Sequence, residues 1–365
     1  MSSASSSPDL GAIHKALSFV KDPCTGQNLG ALGAIAGVEI TGADVKVHVI
    51  LGYPALSLKA HIEELVCVAV STVDDVASVT TDVGWLIKPK PTANQKEPLP
   101  GVANIVAVAS GKGGVGKSTT TVNLALALVA EGATVGILDA DIYGPSQPHM
   151  LGVGNVRPQI RGQKHMEPIT AHGVQVNSMG FLVTEQTPMV WRGPMVSGAL
   201  QQLLGLTIWQ DLDYLLIDMP PGTGDIQLTL AQSVPVTGSV IVTTPQDIAL
   251  LDAKKGIEMF RKVNVPVLGV VENMATHICS SCGHEEHIFG AGGGERIARD
   301  YQTTLLGSLP LDLSIREQVD VGVPSVVADP ESDISQTYRR IARQMAANLW
   351  VAQGAVIPVI EVDDD

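Results

Sequence analysis

The sequence predicts an α/β protein in which helices cover both faces of a mainly parallel sheet, preceded by a small α+β domain. Beyond residue 103, continuous apolar runs of β-type residues alternate with helical stretches, which is typical of a parallel sheet buried on both faces. A proline-rich polar stretch separates these runs from shorter segments before it. The predicted strands of the larger domain are residues 105–109, 134–138, 174–179, 214–217, 239–242, 267–271 and 304–309.

The segment ahead of the prolines is predicted to form the small domain, residues 10–88. Apolar residues at helical spacing predict helices over residues 10–20 and 56–70. Alternation of apolar and polar residues predicts a half-buried strand over residues 44–51, and a further strand is expected over 77–87. This order of elements gives the α+β class.

Two polar segments delimit that domain. Residues 1–9 are rich in serine and carry neither the basic nor the apolar stretch of a targeting signal, so we expect a disordered tail. Residues 89–102 contain four prolines among polar residues, which is typical of a semi-rigid linker. The second domain is then predicted to span residues 103–365.

Composition and charge exclude several classes of partner. The chain has 365 residues, 45% of them hydrophobic and 16% charged, which indicates a globular protein of about two domains. Its net charge of −14 repels nucleic acid and anionic lipid, and no apolar run is long enough to span a membrane. Four cysteines in this length do not form a disulfide framework, so we expect the reducing, ATP-containing cytoplasm.

A glycine-rich loop follows the first strand of the larger domain and precedes a helix predicted over residues 120–130. Gly111 and Gly116 bracket the loop, and Lys117 and Ser118 complete the GxxxxGK[ST] template. In such a loop backbone N–H groups converge on phosphates, the lysine meets the β- and γ-phosphates, and the hydroxyl binds Mg²⁺. The predicted nucleotide-binding residues are Gly111, Lys112, Gly113, Gly114, Val115, Gly116, Lys117, Ser118 and Thr119.

The loop contains a second lysine, Lys112, directly after its first glycine. The resulting KGGVGKS resembles the deviant Walker A loop of the dimeric P-loop ATPases that include MinD, ParA, the nitrogenase iron protein and the ApbC/Mrp iron–sulfur carriers. The resemblance implies a P-loop NTPase fold and an ATP-dependent homodimer in which Lys112 reaches the phosphates bound by the partner. A solvated loop lysine is the alternative.

Polar residues at the ends of later strands extend this resemblance. The stretch 138–146 resembles the first switch of the class, in which Asp141 would orient or deprotonate the attacking water, and Asp139 would shape the loop. Asp218 ends an apolar strand, as the Walker B aspartate of the class does, and would hold Mg²⁺. The sequence PPGTGD at residues 220–225 resembles the second switch of the ApbC/Mrp branch. Asn273 would contact adenine. If each aspartate is considered alone, a helix N-cap explains an aspartate after a strand equally well.

A cysteine pair, Cys279 and Cys282, distinguishes the chain from a generic ATPase. Two thiolates at this spacing supply half of the four ligands that a tetrahedral metal or a cubane cluster needs, and a two-fold dimer would supply the other half. The match with ApbC/Mrp, which includes CSSCGHEEHIFG, implies a bridging [4Fe–4S] cluster that is received from a donor scaffold and passed to apo iron–sulfur proteins.

Two other chemistries stay open for the cysteine pair. Zinc bound by Cys279, Cys282 and some of His284 and His287 would clip the loop, although the single residue before His284 is a tighter gap than zinc-finger spacing. A redox dithiol would need a thioredoxin-like setting, which this is not. We therefore predict the cluster, with both histidines as solvated or outer groups.

The first domain resembles the MIP18-like domain that often precedes ApbC/Mrp ATPases. The resemblance depends on the stretches around Pro23 and Pro54, where many relatives carry a cysteine beside the second proline and this chain has Ala55. Cys24 and Cys67 do not match that position. They are interpreted as buried or inert thiols.

The last predicted helix, residues 334–350, is amphipathic and is expected to dock on the ATPase core. Because the sequence after it is acidic, a membrane anchor is disfavoured. The predicted function is thus an ATP-hydrolysing homodimer that binds and transfers an iron–sulfur cluster. The rivals are a ParA/MinD-like positioning ATPase and an ATP-gated electron-transfer protein with a bridging cluster.

Overall fold

The computed structural model describes residues 7–92, 96–162, 164–181, 193–279 and 281–352. Most of the predicted tail and all of the acidic stretch after the last helix lie outside these residues. Asp9, which the prediction assigns to the tail, is the N-cap of the first helix: its carboxylate accepts the backbone N–H groups of Gly11 and Ala12.

The N-terminal domain is a three-stranded sheet flanked by two helices. The first two strands are antiparallel, and the third runs parallel to the second because a helix crosses over between them. The first helix ends at Leu17 and not at Val20, and the first strand was not predicted. The elements are α1 (Leu10–Leu17), β1 (Ile35–Thr41), β2 (Asp44–Leu51), a 3₁₀ turn (Leu56–Leu58), α2 (Lys59–Val70) and β3 (Ser78–Trp85).

The second domain contains all the predicted strands together with shorter ones. Its strands are β4 (Val102–Ala109), β5 (Val135–Asp139), β6 (Ile160–Arg161), β7 (His165–Met166), β8 (Ile169–Ala171), β9 (Val174–Ser178), β10 (Leu212–Asp218), β11 (Gly238–Thr243), β12 (Val267–Glu272), β13 (His277–Ile278), β14 (Glu285–Glu286) and β15 (Leu305–Ser308). Its helices are α3 (Lys117–Ala130), α4 (Gln147–Met150), α5 (Gly193–Leu206), α6 (Asp225–Ser233), α7 (Asp247–Lys262), α8 (Gly293–Asp300), α9 (Leu313–Asp320), α10 (Ser325–Ala328) and α11 (Asp333–Ala352).

Eight of these strands form one sheet in the order β15-β12-β11-β4-β10-β5-β9-β8. All neighbouring pairs are parallel except β8 and β9, so the prediction of a mainly parallel sheet is confirmed. Alternate residues of β4 enter two different cores: Val106 and Val108 pack with α3 and α11, whereas Ile105 and Ala107 pack with α5 and α7. Helices therefore cover both faces, and the carboxyl ends of the parallel strands form one edge for ligands.

A buried ionic joint connects the two domains. Glu131, at the end of α3, is fully buried and accepts the backbone N–H of Ser57 at 3.0 Å. Arg339 Nε and Arg343 Nη1 of α11 donate to the same carboxylate at 2.7 and 2.8 Å. Burial raises the pKa of Glu131, but the Ser57 N–H and the arginines outweigh it and lower the pKa below the ordinary value.

Apolar contacts continue this joint. The rings of Tyr53 and Trp350 lie 5.9 Å apart between centroids, and residues of the first domain share one hydrophobic core with α3 and α11. The last helix thus docks on the first domain as well as on the sheet. Within the described part of the chain, none of the helices combines the length and the apolar character needed to cross a bilayer.

Candidate nucleotide site and cysteine hairpin

The glycine-rich loop connects β4 to α3, which begins at Lys117, three residues earlier than predicted. Gly114 and Gly116 both have φ of +80°, a left-handed backbone that other residues rarely adopt. Gly111 is required for another reason: a Cβ there would lie 2.3 Å from the backbone of Asp252 in α7. The loop therefore has the tight backbone that brings N–H groups to the start of a helix.

Lys117 and Asp218 form a buried ion pair at the base of the loop. The ammonium lies 2.5 Å from Asp218 Oδ1 and 3.2 Å from the hydroxyl of Ser118. Thr121 Oγ1 donates to the same oxygen, Oδ1, at 3.1 Å, and Gln147 Nε2 donates to Oδ2 at 2.9 Å. The Lys117 ammonium thus lies between the two oxygens predicted to bind Mg²⁺, those of Ser118 and Asp218. Because Mg²⁺ prefers hydroxyl and carboxylate oxygens as ligands, these residues fit that ion.

The aspartates after β5 have separate surroundings. Asp139 is fully buried and accepts the backbone N–H groups of Asp141, Ser146 and Gln147, so it shapes the loop. Burial and the nearby Asp218 carboxylate raise its pKa to about 7. Asp141 accepts the N–H of Gly144 at 3.3 Å, and burial raises its pKa.

A cavity of about 230 Å³ brings most of the predicted phosphate-handling residues together. Its wall includes side chains from the glycine-rich loop and from the segment after β5, so Asp141 and the loop face one space. Pro221 of the PPGTGD stretch closes one side. The residues in and beside the glycine-rich loop that line the cavity are Ser110, Lys112, Gly113, Gly114, Gly116, Lys117, Ser118 and Thr119.

Two predicted nucleotide residues have other contacts. Lys112 Nζ donates to Gln246 Oε1 at 3.3 Å, at the start of α7, whereas Lys117 pairs with Asp218. Asn273 is buried beneath the loop, where its Nδ2 donates to the carbonyl of Val115 at 2.9 Å. The adenine contact of Asn273 stays a prediction, and its observed contact stabilises the loop.

The cysteine pair lies in the turn of a short hairpin. The short strands β13 and β14 pair antiparallel and hold the cysteines between them. Within the turn, the N–H of Cys279 donates to the carbonyl of His284 at 2.9 Å, and the N–H of Gly283 donates to the carbonyl of Cys279 at 2.8 Å. Gly283 has φ of +70°, which closes the turn.

The turn favours a thiolate at Cys279. Backbone N–H groups of Ser281 and Cys282 donate to its sulfur, and with the Cys282 side chain they lower the pKa of Cys279. Cys282 is exposed and Cys279 partly so. Because the thiolate is the form that binds metal, the hairpin is suited to a soft metal or cluster.

The described residues of one chain contain no group of three or more His, Cys, Asp or Glu side chains that could hold a metal ion. His287 Nδ1 lies 3.0 Å from the carbonyl of Ala275, and His284 lies near Glu286. The proposed histidine ligands of a zinc clip thus have other neighbours, as expected for solvated or outer groups.

Cys24 and Cys67 are far from this hairpin in the fold. Both are partly buried in the first domain, and burial raises the pKa of Cys24, whose carbonyl accepts Gln344 Nε2 of α11 at 2.9 Å. Cys67 Sγ lies 3.4 Å from the hydroxyl of Thr81. Both are therefore partly and not fully buried, and their interpretation as inert thiols stays a prediction.

Sequence reasoning missed two polar contacts of Asp218, those made by Thr121 and Gln147. Thr121 lies one helical turn after Lys117, so the i, i+4 spacing gives a signal that was available. Gln147 gave none, because a glutamine beside Pro148 in a polar stretch is typical of a surface turn.

Comparison with known protein families agrees with this geometry. A family model described as NUBPL iron-transfer P-loop NTPase matches residues 101–346, and one described as iron-sulfur cluster assembly protein matches residues 11–81. The chain is 66% identical to an iron-sulfur cluster carrier protein of Pseudomonas fragi over 275 residues, which are 75% of this chain and 96% of that protein.

A second relative and a solved structure extend the comparison to both domains and to the fold. An iron-sulfur cluster carrier protein of Haemophilus influenzae is 51% identical over 346 residues, 95% of this chain and 93% of that protein. A nucleotide-binding protein from Archaeoglobus fulgidus in complex with ADP is 38% identical with a TM-score of 0.56, over 64% of this chain and 90% of that chain.

Proposed function

This chain belongs to the NUBPL-type iron-transfer P-loop NTPases, and from that membership we propose that it is a homodimeric ATPase that carries a [4Fe–4S] cluster on Cys279 and Cys282. The cluster is its cargo, taken from a donor scaffold and delivered to apo-proteins in the reducing cytoplasm. One observation carries the proposal: a hairpin with a stabilised thiolate and only half a ligand set follows the strand, β12, whose end supports the phosphate loop.

Nucleotide binding would begin with Lys117 leaving Asp218 for the β- and γ-phosphates of ATP. The loop N–H groups and the start of α3 would hold the remaining phosphate charge. Ser118 Oγ and Asp218 would hold Mg²⁺, which supplies positive charge to the phosphate oxygens. The adenine contact assigned to Asn273 belongs to this step.

Hydrolysis would depend on Asp141 and on the partner. Burial raises the pKa of Asp141, which makes its carboxylate a better proton acceptor for the water that attacks the γ-phosphorus as the bond to the β-bridging oxygen breaks. Lys112 lines the same cavity as Lys117, but its ammonium contacts Gln246 at the start of α7, whereas Lys117 pairs with Asp218. We assign it to the phosphates of the second chain, where a lysine stabilises the developing charge.

The cluster would lie on the two-fold axis of the dimer. Two thiolates from each chain give the four ligands that a [4Fe–4S] cluster requires. Because Cys282 is exposed, another protein can reach the ligands without unfolding of the hairpin, and this accessibility suits a cluster that is transferred.

Anaerobic reconstitution with iron and sulfide tests the proposal. We expect about four irons and four sulfides for two chains, a broad visible absorbance, and transfer of the cluster to an apo-ferredoxin. The Asp141→Asn variant serves as the nucleotide control, because it should bind ATP and fail to hydrolyse it. Stoichiometric zinc without iron in the native protein would contradict the carrier function.

Two rivals predict different outcomes. A positioning ATPase would need a polymer or membrane partner and no cluster, which conflicts with the net charge of −14 and with the exposed cysteine pair. An electron-transfer protein would change cluster oxidation state in step with ATP turnover. A redox titration during turnover separates it from the carrier.

A further inference from the structure

Gln147 lies at the centre of the polar residues around the candidate nucleotide site. It is fully buried and follows the loop that contains Asp141. Its backbone N–H donates to Asp139 Oδ2 at 3.1 Å, so its backbone is fixed to the end of β5. The loop of Asp141 is thus anchored at both ends by the same buried carboxylate, because Asp139 Oδ1 also accepts the N–H of Asp141.

The side-chain amide of Gln147 joins two further elements. Its Nε2 donates to the carbonyl of Ser118 in α3 at 3.0 Å and to Asp218 Oδ2 at 2.9 Å. Its Oε1 is buried and has no partner among the described residues. Burying an amide oxygen without a hydrogen-bond partner costs free energy, which an apolar side chain at this position would avoid. The contact of Nε2 with Asp218 therefore indicates that the amide serves a purpose other than packing.

The two oxygens of Asp218 have different partners. Oδ1 accepts Lys117 and Thr121, whereas Oδ2 accepts Gln147. When phosphates take Lys117, Oδ1 keeps only the hydroxyl of Thr121, so two neutral donors, one on each oxygen, then hold the Asp218 carboxylate. The Gln147 contact on Oδ2 would resist rotation of the carboxylate and keep Oδ1 on the side of Lys117 Nζ, which lies 3.2 Å from Ser118 Oγ.

We propose that Gln147 is a positioning residue that orients Asp218 for Mg²⁺ and couples this orientation to the loop of Asp141. The inference depends on the nucleotide site of the proposed function and adds to it a residue that touches neither ATP nor the metal. Mg²⁺ binding and movement of the Asp141 loop are then linked through one side chain.

The test is the Mg²⁺ dependence of nucleotide affinity in Gln147→Met. Methionine has nearly the same shape but donates no hydrogen bond, and a hydrogen bond to a charged group contributes enough to change an affinity about tenfold. We expect fluorescent ADP to bind with unchanged affinity in EDTA, and the tightening by Mg²⁺ to be about tenfold smaller than in the wild type. Equilibrium titration measures both without turnover.

A matched control is Asn104→Leu. Asn104 is also a buried amide with an unpartnered oxygen, but it lies near the start of β4, at the opposite edge of the sheet. The Asn104→Leu variant should lose thermal stability, but Mg²⁺ should tighten its binding of ADP as much as in the wild type. Gln147→Asn keeps an amide one methylene shorter and should show the same Mg²⁺ defect as Gln147→Met, which guards against misfolding of one variant.

The outcomes separate the inference from the proposed function. Gln147→Met and Gln147→Asn with a wild-type response to Mg²⁺ would overturn the positioning role and leave the nucleotide site intact. A wild-type protein whose ADP affinity does not respond to Mg²⁺ would overturn both. A loss of affinity that is equal in EDTA and in Mg²⁺ would also contradict the inference, because it would indicate a general packing role.

Discussion

The phosphate loop and the cysteine hairpin are built in opposite ways. The loop is fixed by distant parts of the chain, since Asp218, Gln147 and Asn273 all hold it in place. The hairpin is held by hydrogen bonds within its own turn, between Cys279 and residues at most five positions away. Charge in the loop is balanced internally by Lys117 and Asp218, whereas the hairpin presents its thiols to solvent.

The two sites therefore obtain their specificity from different parts of the molecule. A site held by tertiary contacts is pre-organised in a single chain and can bind a ligand without another protein. In the proposed dimer, a local turn with half a ligand set would depend on a second copy and would release its cargo when that copy moves. Four substitutions test whether the two sites differ in this way.

The largest effect is expected at the hairpin. Replacing Cys279 or Cys282 with serine removes two of four thiolates through the two-fold symmetry, so the cluster should be lost entirely and not by half. Iron and sulfide analysis after reconstitution measures this. Nucleotide affinity should stay within about twofold, because the hydrogen bonds described for this turn stay within it and do not reach the phosphate loop.

Cys24→Ala and Cys67→Ala are the matched controls for that experiment. Both thiols lie in the first domain, so these variants should keep the cluster. Full cluster content in the double variant Cys279→Ala, Cys282→Ala would show that the hairpin is not the site.

The next effect concerns the internal charge balance of the loop. Lys117→Ala removes the counter-charge of the phosphates and leaves Asp218 buried without its cation, so nucleotide affinity should fall by about a hundredfold or more. Calorimetric titration with ADP measures it, and the cluster content should be unchanged. Equal affinity in the variant and the wild type would refute the assignment of the phosphate loop.

A smaller effect is expected from the other lysine. Lys112→Ala should leave ADP affinity within about twofold, since its ammonium contacts Gln246 and is assigned to the phosphates of the second chain, but it should lower turnover about tenfold or more. Mixing it with Asp141→Asn should give turnover that depends on which sites the mixed dimers assemble. Turnover per chain that is independent of protein concentration would contradict the role in trans.

The smallest effect on either site is expected from Glu131→Gln. It removes the buried charge between two arginines and should cost about 2 kcal/mol in the free energy of unfolding. The folded pKa of Glu131 lies below its ordinary value of 4.5, so its contribution is complete above that pH and is lost as pH falls through the folded pKa. Thermal melts should therefore show a gap between wild type and variant near neutrality that closes in acid.

Arg340→Gln is the matched control for this experiment. Arg340 lies on the same helix, and its guanidinium donates to the hydroxyl of Thr337 on the exposed side. It should change stability by less than about 0.5 kcal/mol at every pH. A Glu131→Gln variant as stable as this control would show that the joint contributes little.

The sequence predicts the features that have a local signal and misses those that depend on distant contacts. The buried strands have an apolar signature, so their existence was predictable, and the GxxxxGK[ST] template located the loop. The two-residue strands β13 and β14 carry no periodicity, so the hairpin around Cys279 was not predicted. The partners of Asp218 and Glu131 are set by tertiary contacts, and no spacing in the chain indicates that Gln147 or Arg343 would reach them.

The ionic joint around Glu131 also sets an order of events during synthesis. Ser57 is made early, Glu131 near the middle, and Arg339 and Arg343 on the last described helix. The first domain can therefore fold on the ribosome before its binding surface exists, and Glu131 must stay solvated until α11 emerges. Docking of the two domains becomes one of the final steps of chain maturation, and a chain stalled before residue 343 would leave α3 with an unmatched carboxylate.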